Sequence, residues 1–161
     1  MKTLILIRHA KAANADGHTP DHERPLKDRG LTDAAATGRR LNEQKMVPQV
    51  LISSPAVRAL TTATILAGEL GYPLAEIGTA PLIYEASLDD LLDVIRHLDE
   101  RFQRVMLVGH NPGLSELCNF LVETMADSLP TCGVAIFHVN AKLWKNVDQN
   151  TAELKMFEYP K

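Results

Sequence analysis

The stretch Thr3-Leu4-Ile5-Leu6-Ile7-Arg8-His9, near the start of the chain, decides the fold. Its first part, residues 3–7, is typical of a strand that is buried on both faces, as in a parallel sheet. Arg8 and His9 then follow at the carboxyl end of that strand, which is where open α/β sheets bind ligands. A guanidinium offers a planar set of donors to phosphate oxygens, and an imidazole can attack phosphorus or carry a proton. Taken alone, the pair is also compatible with solvated residues that simply follow a strand.

A second junction, where a predicted strand ends and polar residues follow, occurs later in the chain. Residues 105–108 are apolar and predict another strand, and His110 comes two positions later. Asn111 is a good helix N-cap and Pro112 suits the first helical position, so we expect a helix over 112–124. His110 is thereby placed beside a helix amino terminus, which favours anions. Two histidines that each end an apolar strand are hard to explain as surface residues.

A third junction adds a cation. Val50–Ser53 predicts a strand, with Ser54 as the N-cap of a helix over 55–70 that Gly71 ends. Arg58 then lies in the first turn of that helix, where the helix dipole disfavours a cation. We therefore expect a negative group near Arg58, although an arginine on its own at this position would be interpreted as an exposed helix residue.

The rest of the chain alternates strand and helix patterns. Such alternation is typical of βαβ units, and hence of a largely parallel sheet covered by helices on both faces. We expect a single domain, residues 1–161, with three α/β/α layers and a mostly parallel central sheet that ends in an antiparallel strand pair. The remaining predicted elements are a helix over 31–45 with Thr32 as N-cap, a strand near 75–79, a third helix capped by Ser87, and the two last strands over 133–139 and 152–159.

Composition and charge narrow the class of protein. With 161 residues and 45% hydrophobic content, the chain is long enough for one α/β domain with a full core. A net charge of −3 does not indicate a nucleic-acid surface. The apolar run before Arg8 is too short for a signal peptide, and no stretch approaches transmembrane length. We therefore expect a cytoplasmic protein without a membrane segment.

The two cysteines, Cys118 and Cys132, do not form either of the patterns that give cysteines a function. Neither begins a Cys-x5-Arg loop, because Thr124 and His138 occupy the sixth positions after them. This excludes the cysteine-dependent phosphatases. Two cysteines do not make a disulfide framework either, so we expect both to be small buried residues.

The ordered set of motifs resembles the histidine phosphatase superfamily, also called the phosphoglycerate mutase-like family. The Arg-His tag is short, but the resemblance covers nearly the whole chain, and its motifs follow in the family's order. The matching segments are Leu6-Ile7-Arg8-His9; Arg24-Pro25-Leu26 with Gly30 and Ala34; Ser53-Ser54-Pro55-Ala56-Val57-Arg58-Ala59 with Thr62-Ala63; and Val108-Gly109-His110-Asn111-Pro112.

The resemblance implies a role for each of these polar residues. His9 would be the nucleophile that forms a phosphohistidine intermediate, which requires a neutral ring with one nitrogen free. Arg8, Arg58 and His110 would surround the phosphate and stabilise the charge of the transferring group. Arg24 resembles an additional phosphate contact of the family, carried on a loop. This reaction needs no metal and no cofactor.

The third and fourth positions of the first motif narrow the branch. Most of the superfamily reads Arg-His-Gly followed by an acidic or amide residue, whereas this chain has Arg8-His9-Ala10-Lys11. That variant and the small size resemble the SixA branch, which implies a phosphohistidine-bearing phosphotransfer domain as protein partner. Two alternatives stay open: a phosphomonoesterase acting on a small phosphorylated metabolite, and a non-catalytic module that binds phosphorylated ligands.

Glu85 is a candidate acid with three possible roles. The segment Leu82-Ile83-Tyr84-Glu85 loosely resembles a Leu-x-Glu segment whose acid protonates the leaving oxygen in many family members. Such help matters for a poor alkoxide leaving group and less for an imidazole. Glu85 is therefore a catalytic acid, a substrate contact or a capping residue near Ser87.

The longest irregular region, residues 14–24, is expected to overhang the end of the first strand. It contains four potential metal ligands: His18, Asp21, His22 and Glu23. Their spacing matches no common zinc pattern, and Thr19-Pro20 interrupts any helical face between the two histidines. A solvated loop is the favoured interpretation.

Overall fold

The computed structural model describes residues 1–123 and 127–161, and it places the first predicted strand in the middle of a sheet. Those residues form six strands and four α-helices. The strands are β1 (Lys2–Arg8), β2 (Val50–Ser53), β3 (Gly78–Thr79), β4 (Arg104–Gly109), β5 (Val134–Val139) and β6 (Ala152–Glu158). The helices are α1 (Asp28–Glu43), α2 (Val57–Leu70), α3 (Leu88–Arg96) and α4 (Gly113–Leu121).

The sheet has a parallel part and an antiparallel part. Its strand order is β3-β2-β4-β1-β5-β6; the first three pairs run parallel, and the pairs β1–β5 and β5–β6 run antiparallel. The predicted α/β class, with a mostly parallel sheet and an antiparallel C-terminal pair, is confirmed. Because β1, β2 and β4 are mutually parallel, their carboxyl ends meet at one edge of the sheet.

Strand β1 is buried on both faces, as its apolar run predicts. Leu4 and Leu6 belong to a core cluster with apolar residues of α3 and α4, whereas Ile5 and Ile7 belong to a second cluster with residues of α1 and α2. All four side chains are 0% exposed. Burial of each contributes about 1.5–3 kcal/mol. The carboxyl end of β1 is therefore fixed in position by packing on both faces of the sheet.

Helix α1 begins earlier than predicted, and the assignment of Thr32 as N-cap is wrong. The helix starts at Asp28 and ends at Glu43, and Thr32 Oγ1 donates to Asp28 O inside it. Gly30 in the first turn explains the early start. A Cβ there would collide with the Lys11 carbonyl oxygen, so glycine lets the helix begin directly against the chain that leaves β1.

Helix α2 begins two residues later than predicted but ends as predicted. Its N-cap is Ala56, and Ser54 instead uses its hydroxyl to accept from Ala56 N at 3.2 Å in the turn before the helix. Gly71 ends the helix in the left-handed conformation, with φ 71°.

Helix α4 is shorter than the predicted 112–124, although residue 124 itself lies outside the described residues. The helix runs from Gly113 to Leu121, and Val122 is already extended. Asn111 does receive a hydrogen bond from a backbone N–H, that of Ser115, but it lies one residue before the N-cap, which is Pro112.

The remaining predicted elements differ little from the structure. The strand near 75–79 is confined to β3, because Leu74–Glu76 forms a 3₁₀ turn before it. Ser87 caps α3 through a capping box with Asp90, as predicted. The last two predicted strands correspond to β5 and β6 with shifts of one residue.

Cys118 and Cys132 are both free thiols and fully buried, which confirms the sequence-based prediction. Burial raises the pKa of the Cys118 thiol to about 12 and that of Cys132 to about 11. Neither thiol is therefore activated as a nucleophile. Among the described residues, no helix combines the length and the apolar character that a membrane span requires.

Candidate active site

The carboxyl ends of β1, β2 and β4 bring the three predicted junctions together. Ser53 of β2 pairs in register with Val108 of β4. Just beyond the strands, His9 N donates to Gly109 O at 3.0 Å, and Ser54 N donates to Val108 O at 3.0 Å. Backbone pairing therefore continues up to the residues whose side chains form the site.

His9 has one ring nitrogen engaged and the other free. Its Nδ1 lies 2.8 Å from the Ala10 carbonyl oxygen and, because a carbonyl only accepts, Nδ1 carries the proton. Nε2 then holds the lone pair, which is what a histidine nucleophile requires. Thr62 holds the backbone of Ala10 in place, since its Oγ1 accepts from Ala10 N at 3.0 Å and donates to Arg58 O at 2.7 Å.

The surroundings of His9 favour the neutral ring. The side chain is 8% exposed, and burial, together with the nearby Arg58 and Arg8 guanidinium groups, lowers the pKa of His9 to about 4. At neutral pH the ring is unprotonated and Nε2 is available.

His110 lies beside His9 at the end of β4. The two ring centroids are 5.1 Å apart, and His110 Nε2 lies 2.7 Å from Ser54 Oγ. Burial, and next the neighbouring His9 and Arg58, lower the pKa of His110 to about 3. Its Nδ1 is buried and has no hydrogen-bond partner among the described residues. His110 is therefore a neutral ring with one nitrogen, Nδ1, that none of the described residues engages.

Arg58 is nearly buried and meets the negative group that its position at a helix start predicts. Its Nη1 donates to Asp21 O at 2.7 Å, and its Nη2 donates to Asp21 Oδ2 at 3.0 Å. The residue is only 6% exposed. The partner is thus a carboxylate of this same chain, carried on the loop that follows β1.

Asp21 is the centre of a larger hydrogen-bond network. Its Oδ1 accepts from Arg24 Nε at 3.0 Å and from Arg24 Nη2 at 2.9 Å, and its Oδ2 also accepts from the Tyr84 hydroxyl at 2.6 Å. The Tyr84 hydrogen bond first, and then the two arginines, hold the pKa of Asp21 well below its usual range. The same bond raises the pKa of Tyr84 to about 12. Asp21 is therefore a carboxylate at any physiological pH.

The loop that carries Asp21 folds back over the end of β1, as predicted. Ala12 forms a β-bridge with Leu26, and Lys27 N donates to Lys11 O at 2.9 Å. Arg24, the predicted additional phosphate contact, also donates to the Ala13 carbonyl oxygen. This places Arg24 at the site, on the loop side.

Arg8 and Asn111 meet at the same carbonyl. Asn111 Nδ2 donates to Leu129 O at 2.6 Å, and Arg8 Nη1 lies 3.3 Å from that oxygen. Burial lowers the pKa of Arg8, and its Nε has no hydrogen-bond partner among the described residues. The described residues therefore engage the Arg8 guanidinium only in part.

Glu85 lies next to Tyr84 in the chain, at the mouth of a cavity that His110 also lines. It is exposed, adopts a positive φ of 53°, and lines a cavity of about 370 Å³ together with His110, Asn111 and Glu116. Ser87 and Asp90 form the helix cap by themselves, so the capping role considered for Glu85 is wrong. The acid and substrate-contact roles both remain compatible with its position.

The potential metal ligands of the loop do not converge. His18, His22 and Glu23 are exposed, and in the described parts of the chain no three His, Cys, Asp or Glu side chains form a group that could hold a metal ion. The solvated-loop interpretation fits these three residues. It missed Asp21, whose side chain is 49% exposed but is engaged by two arginines.

Three further residues of the site were also missed, namely Tyr84, Thr62 and Asn111 in its side-chain role. The motif that contains Thr62 indicates no function for that residue, and the sequence around Asn111 indicates only a helix cap. The expectation of an anion near Arg58 was the one available signal for Asp21, but it did not say which of 20 acidic residues would serve.

Comparisons with known proteins agree with the site. The pattern that defines the histidine phosphatase superfamily (branch 1) matches residues 4–102. The chain belongs to that superfamily, whose members act on phosphorylated proteins or on small phosphorylated metabolites.

Individual proteins that are similar to this chain indicate its branch within the superfamily. An uncharacterised protein of Mycobacterium tuberculosis is 28% identical over 165 residues, which covers 96% of this chain and 100% of that protein. The crystal structure of a candidate phosphohistidine phosphatase, SixA from Agrobacterium tumefaciens, is 26% identical and covers 99% of this chain and 98% of its own, with a TM-score of 0.84. The protein histidine phosphatase SixA complexed with tungstate shares the fold, with a TM-score of 0.83 at 19% identity over 98% of this chain and 96% of its own. The fold of this chain is therefore SixA-like.

Proposed function

We propose that this chain is a phosphohistidine phosphatase, in which His9 takes the phosphoryl group from a phosphohistidine side chain on a partner protein. The observation that carries the proposal is the 2.8 Å hydrogen bond from His9 Nδ1 to Ala10 O. It leaves Nε2 as an unprotonated nucleophile beside the buried Arg58 guanidinium.

The reaction has two steps. His9 Nε2 attacks phosphorus, the bond from phosphorus to the substrate imidazole breaks, and the leaving nitrogen takes up a proton from solvent. Water then attacks the phosphoryl group on His9 and the bond from phosphorus to Nε2 breaks. One proton of that water stays on the inorganic phosphate that leaves, and the other returns to solvent and balances the proton taken up in the first step. His9 returns to its neutral state, so the net reaction is hydrolysis of phosphohistidine to histidine and phosphate.

The neighbouring groups stabilise the transferring phosphoryl group. Arg8 and Arg58 supply guanidinium donors, Arg24 adds a third from the loop, and His110 supplies a neutral N–H. Donors aimed at developing charge in a water-poor site are each worth about 10²–10³ in rate. None of these roles requires a metal ion.

The state of Asp21 supports phosphohistidine over a phosphate ester. Asp21 is the carboxylate closest to the arginines, but its pKa lies below the usual range because Tyr84 and two arginines hold it ionised. An ionised carboxylate cannot protonate an alkoxide leaving group, whereas an imidazole leaves as a neutral molecule once its nitrogen is protonated. A substrate that needs little acid help suits this site.

The partner that fits best is a phosphotransfer domain that carries the phosphohistidine. A 3₁₀ turn of three residues, Asp21–Glu23, is the structured part of the loop over the site, and its side chains are largely exposed. Such a shallow cover leaves room for a side chain presented by another protein. The similarity to the SixA structure of Agrobacterium tumefaciens supports the same partner class.

A small-molecule phosphomonoesterase is the second candidate, because Glu85 lines the cavity next to His110. From there it could protonate an ester oxygen as the bond breaks. The absence of turnover on any phosphorylated compound would instead favour a module that only binds phosphorylated ligands.

The decisive experiment compares wild type with His9→Ala on a phosphohistidine protein and on a panel of sugar phosphates. We expect the wild type to prefer the phosphohistidine protein, EDTA to leave its rate unchanged, and His9→Ala to lose at least about 10³-fold in rate. Wild type quenched during turnover should carry an acid-labile, base-stable phosphate on His9. A His97→Ala control, which alters an exposed histidine, should behave as wild type. Substantial activity in His9→Ala would overturn the covalent mechanism.

A further inference from the structure

The Asp21 carboxylate takes donors from the cations assigned to phosphate binding. Arg24 gives it Nε and Nη2, and Arg58 gives it Nη2, all at 2.9–3.0 Å. Both oxygens are therefore occupied by guanidinium groups, which is the pattern in which arginines hold a phosphate. Within this site, Asp21 resembles a bound anion.

The two partners of the contact between Arg58 and Asp21 differ in how far they are buried. Arg58 is 6% exposed and is held on α2, whereas the Asp21 side chain is 49% exposed and sits on a short 3₁₀ turn. An entering phosphoryl group can therefore displace Asp21 toward solvent without moving Arg58. The Tyr84 hydroxyl, at 2.6 Å from Oδ2, holds the carboxylate in place until that happens.

We propose that Asp21 is an internal competitor for the phosphate site: its carboxylate occupies Arg24 and Arg58, and a phosphoryl group must displace it to bind. The inference rests on the phosphate-binding part of the proposed function. A phosphoryl ligand can bind only to molecules in which the Asp21 carboxylate has left the arginines. The apparent affinity for every phosphoryl ligand is therefore the intrinsic affinity multiplied by the fraction of such molecules. Asp21 therefore opposes retention of the inorganic phosphate that each turnover releases.

The opposite role makes the opposite prediction. If Asp21 served only to align Arg58 for phosphate, removing its charge would weaken phosphate binding. Asp21→Asn separates the two roles, because asparagine keeps the shape and the backbone oxygen that receives Arg58 Nη1, and its single amide oxygen can still accept from Tyr84. The substitution removes the charge and replaces the oxygen that accepts from Arg24 with an NH₂ donor, so the contact with that arginine is lost.

The test measures binding of inorganic phosphate and of vanadate by calorimetry, without turnover. We expect Asp21→Asn to bind both about tenfold more tightly than wild type, which is within the usual range of coupling between ligands. In turnover, KM for a phosphorylated substrate should fall while kcat does not rise. Unchanged or weaker binding of both anions would overturn the proposal.

The matched control is Glu23→Gln, which removes the same charge two positions away. The Glu23 side chain is 57% exposed and approaches His22 at 3.8 Å, not an arginine. It should change phosphate affinity by less than about twofold, since exposed charges are well screened. An equal gain in Glu23→Gln would show a general charge effect and overturn the competitor role.

Tyr84→Phe provides a second variant that keeps the Asp21 charge and removes the hydroxyl that holds it. It should tighten phosphate binding by a smaller factor than Asp21→Asn, and a loss of affinity would contradict the proposal. These binding tests also separate this inference from the proposed function. Tighter binding by Asp21→Asn, in a protein that hydrolyses no phosphohistidine, would leave the competitor role intact and overturn only the proposed reaction.

Discussion

Two regions of the site differ in how they are held and in what they show. The strand-end floor consists of Arg8, His9, Arg58 and His110, and His9, Arg58 and His110 are at most 9% exposed. The loop wall consists of Asp21, Arg24 and Glu85, which stand on connecting segments outside the strands and α-helices, and the Asp21 side chain is 49% exposed. The floor is therefore buried at the strand ends, whereas the wall lies on more exposed segments.

The difference also separates the roles expected of the two regions. Groups that stabilise a transition state must be held in place beforehand, and the floor meets that requirement. Groups that admit a substrate or release a product need freedom to move, and exposed loop segments such as those of the wall suit that role. We therefore expect substitutions in the floor to change the rate of phosphoryl transfer, and substitutions in the wall to change mainly ligand affinity.

The largest effect should come from removing a cation of the floor. Arg58→Ala should lower kcat/KM by about 10²–10³-fold, because a buried donor to the phosphoryl oxygens is lost. It should also abolish most vanadate affinity, measured by competitive inhibition. Arg101→Ala, which alters a side chain that is 76% exposed, is the control and should change neither quantity. Activity of Arg58→Ala close to that of wild type would remove Arg58 from the floor's chemistry.

The acid side of the pH profile provides an intermediate effect. His9 has a pKa of about 4, lowered chiefly by burial, whereas an exposed histidine titrates near 6.5. At pH 5.5 an ordinary histidine would retain only about a tenth of its unprotonated form, but His9 should retain more than about nine tenths. Activity should therefore stay nearly constant down to about pH 5. A loss of activity centred near pH 6.5 would contradict a buried, neutral nucleophile.

The same burial should make the folded state less stable in mild acid. Between pH 6.5 and about 4, the unfolded chain binds a proton at His9 that the folded chain does not bind. The free energy of unfolding should therefore fall as the pH is lowered through that window, by roughly 3 kcal/mol for His9 if each pKa unit is worth about 1.4 kcal/mol. Denaturant titrations of wild type and His9→Gln check this, since the variant should show a smaller fall. An equal fall in both proteins would mean that His9 does not titrate in this way.

The sequence predicted the floor well because repeated local patterns define it. Each of its residues follows an apolar strand or begins a helix, and the parallel order of β1, β2 and β4 brings these junctions to one edge. A buried strand such as residues 3–7 places the side chains that follow it at the carboxyl edge of the sheet. Hydrophobic periodicity thus carries information about position as well as about secondary structure.

The wall could not be predicted in the same way, because its contacts join residues far apart in the chain through loops. Asp21 meets Tyr84 across 63 positions and Arg58 across 37. Neither segment has an apolar period that would fix its path, so the sequence indicated only that Arg58 needed an anion. The error in the start of α1 has a related cause, because Gly30 is required by a contact with Lys11 that no local pattern reveals.

The smallest expected effect concerns Glu85, on the wall, and it decides between the two enzyme classes. For a phosphohistidine phosphatase, Glu85→Gln should slow phosphohistidine hydrolysis by less than about tenfold, because an imidazole leaving group needs little acid help. For a phosphomonoesterase, the same variant should lose about 10²–10⁴ on alkyl phosphates and much less on activated aryl phosphates. Glu116→Gln, which removes another exposed carboxylate from the same cavity, is the matched control and should have little effect on either substrate. Efficient wild-type hydrolysis of a sugar phosphate, combined with that large dependence on Glu85 and not on Glu116, would assign chemistry to the wall and overturn phosphohistidine as the preferred substrate.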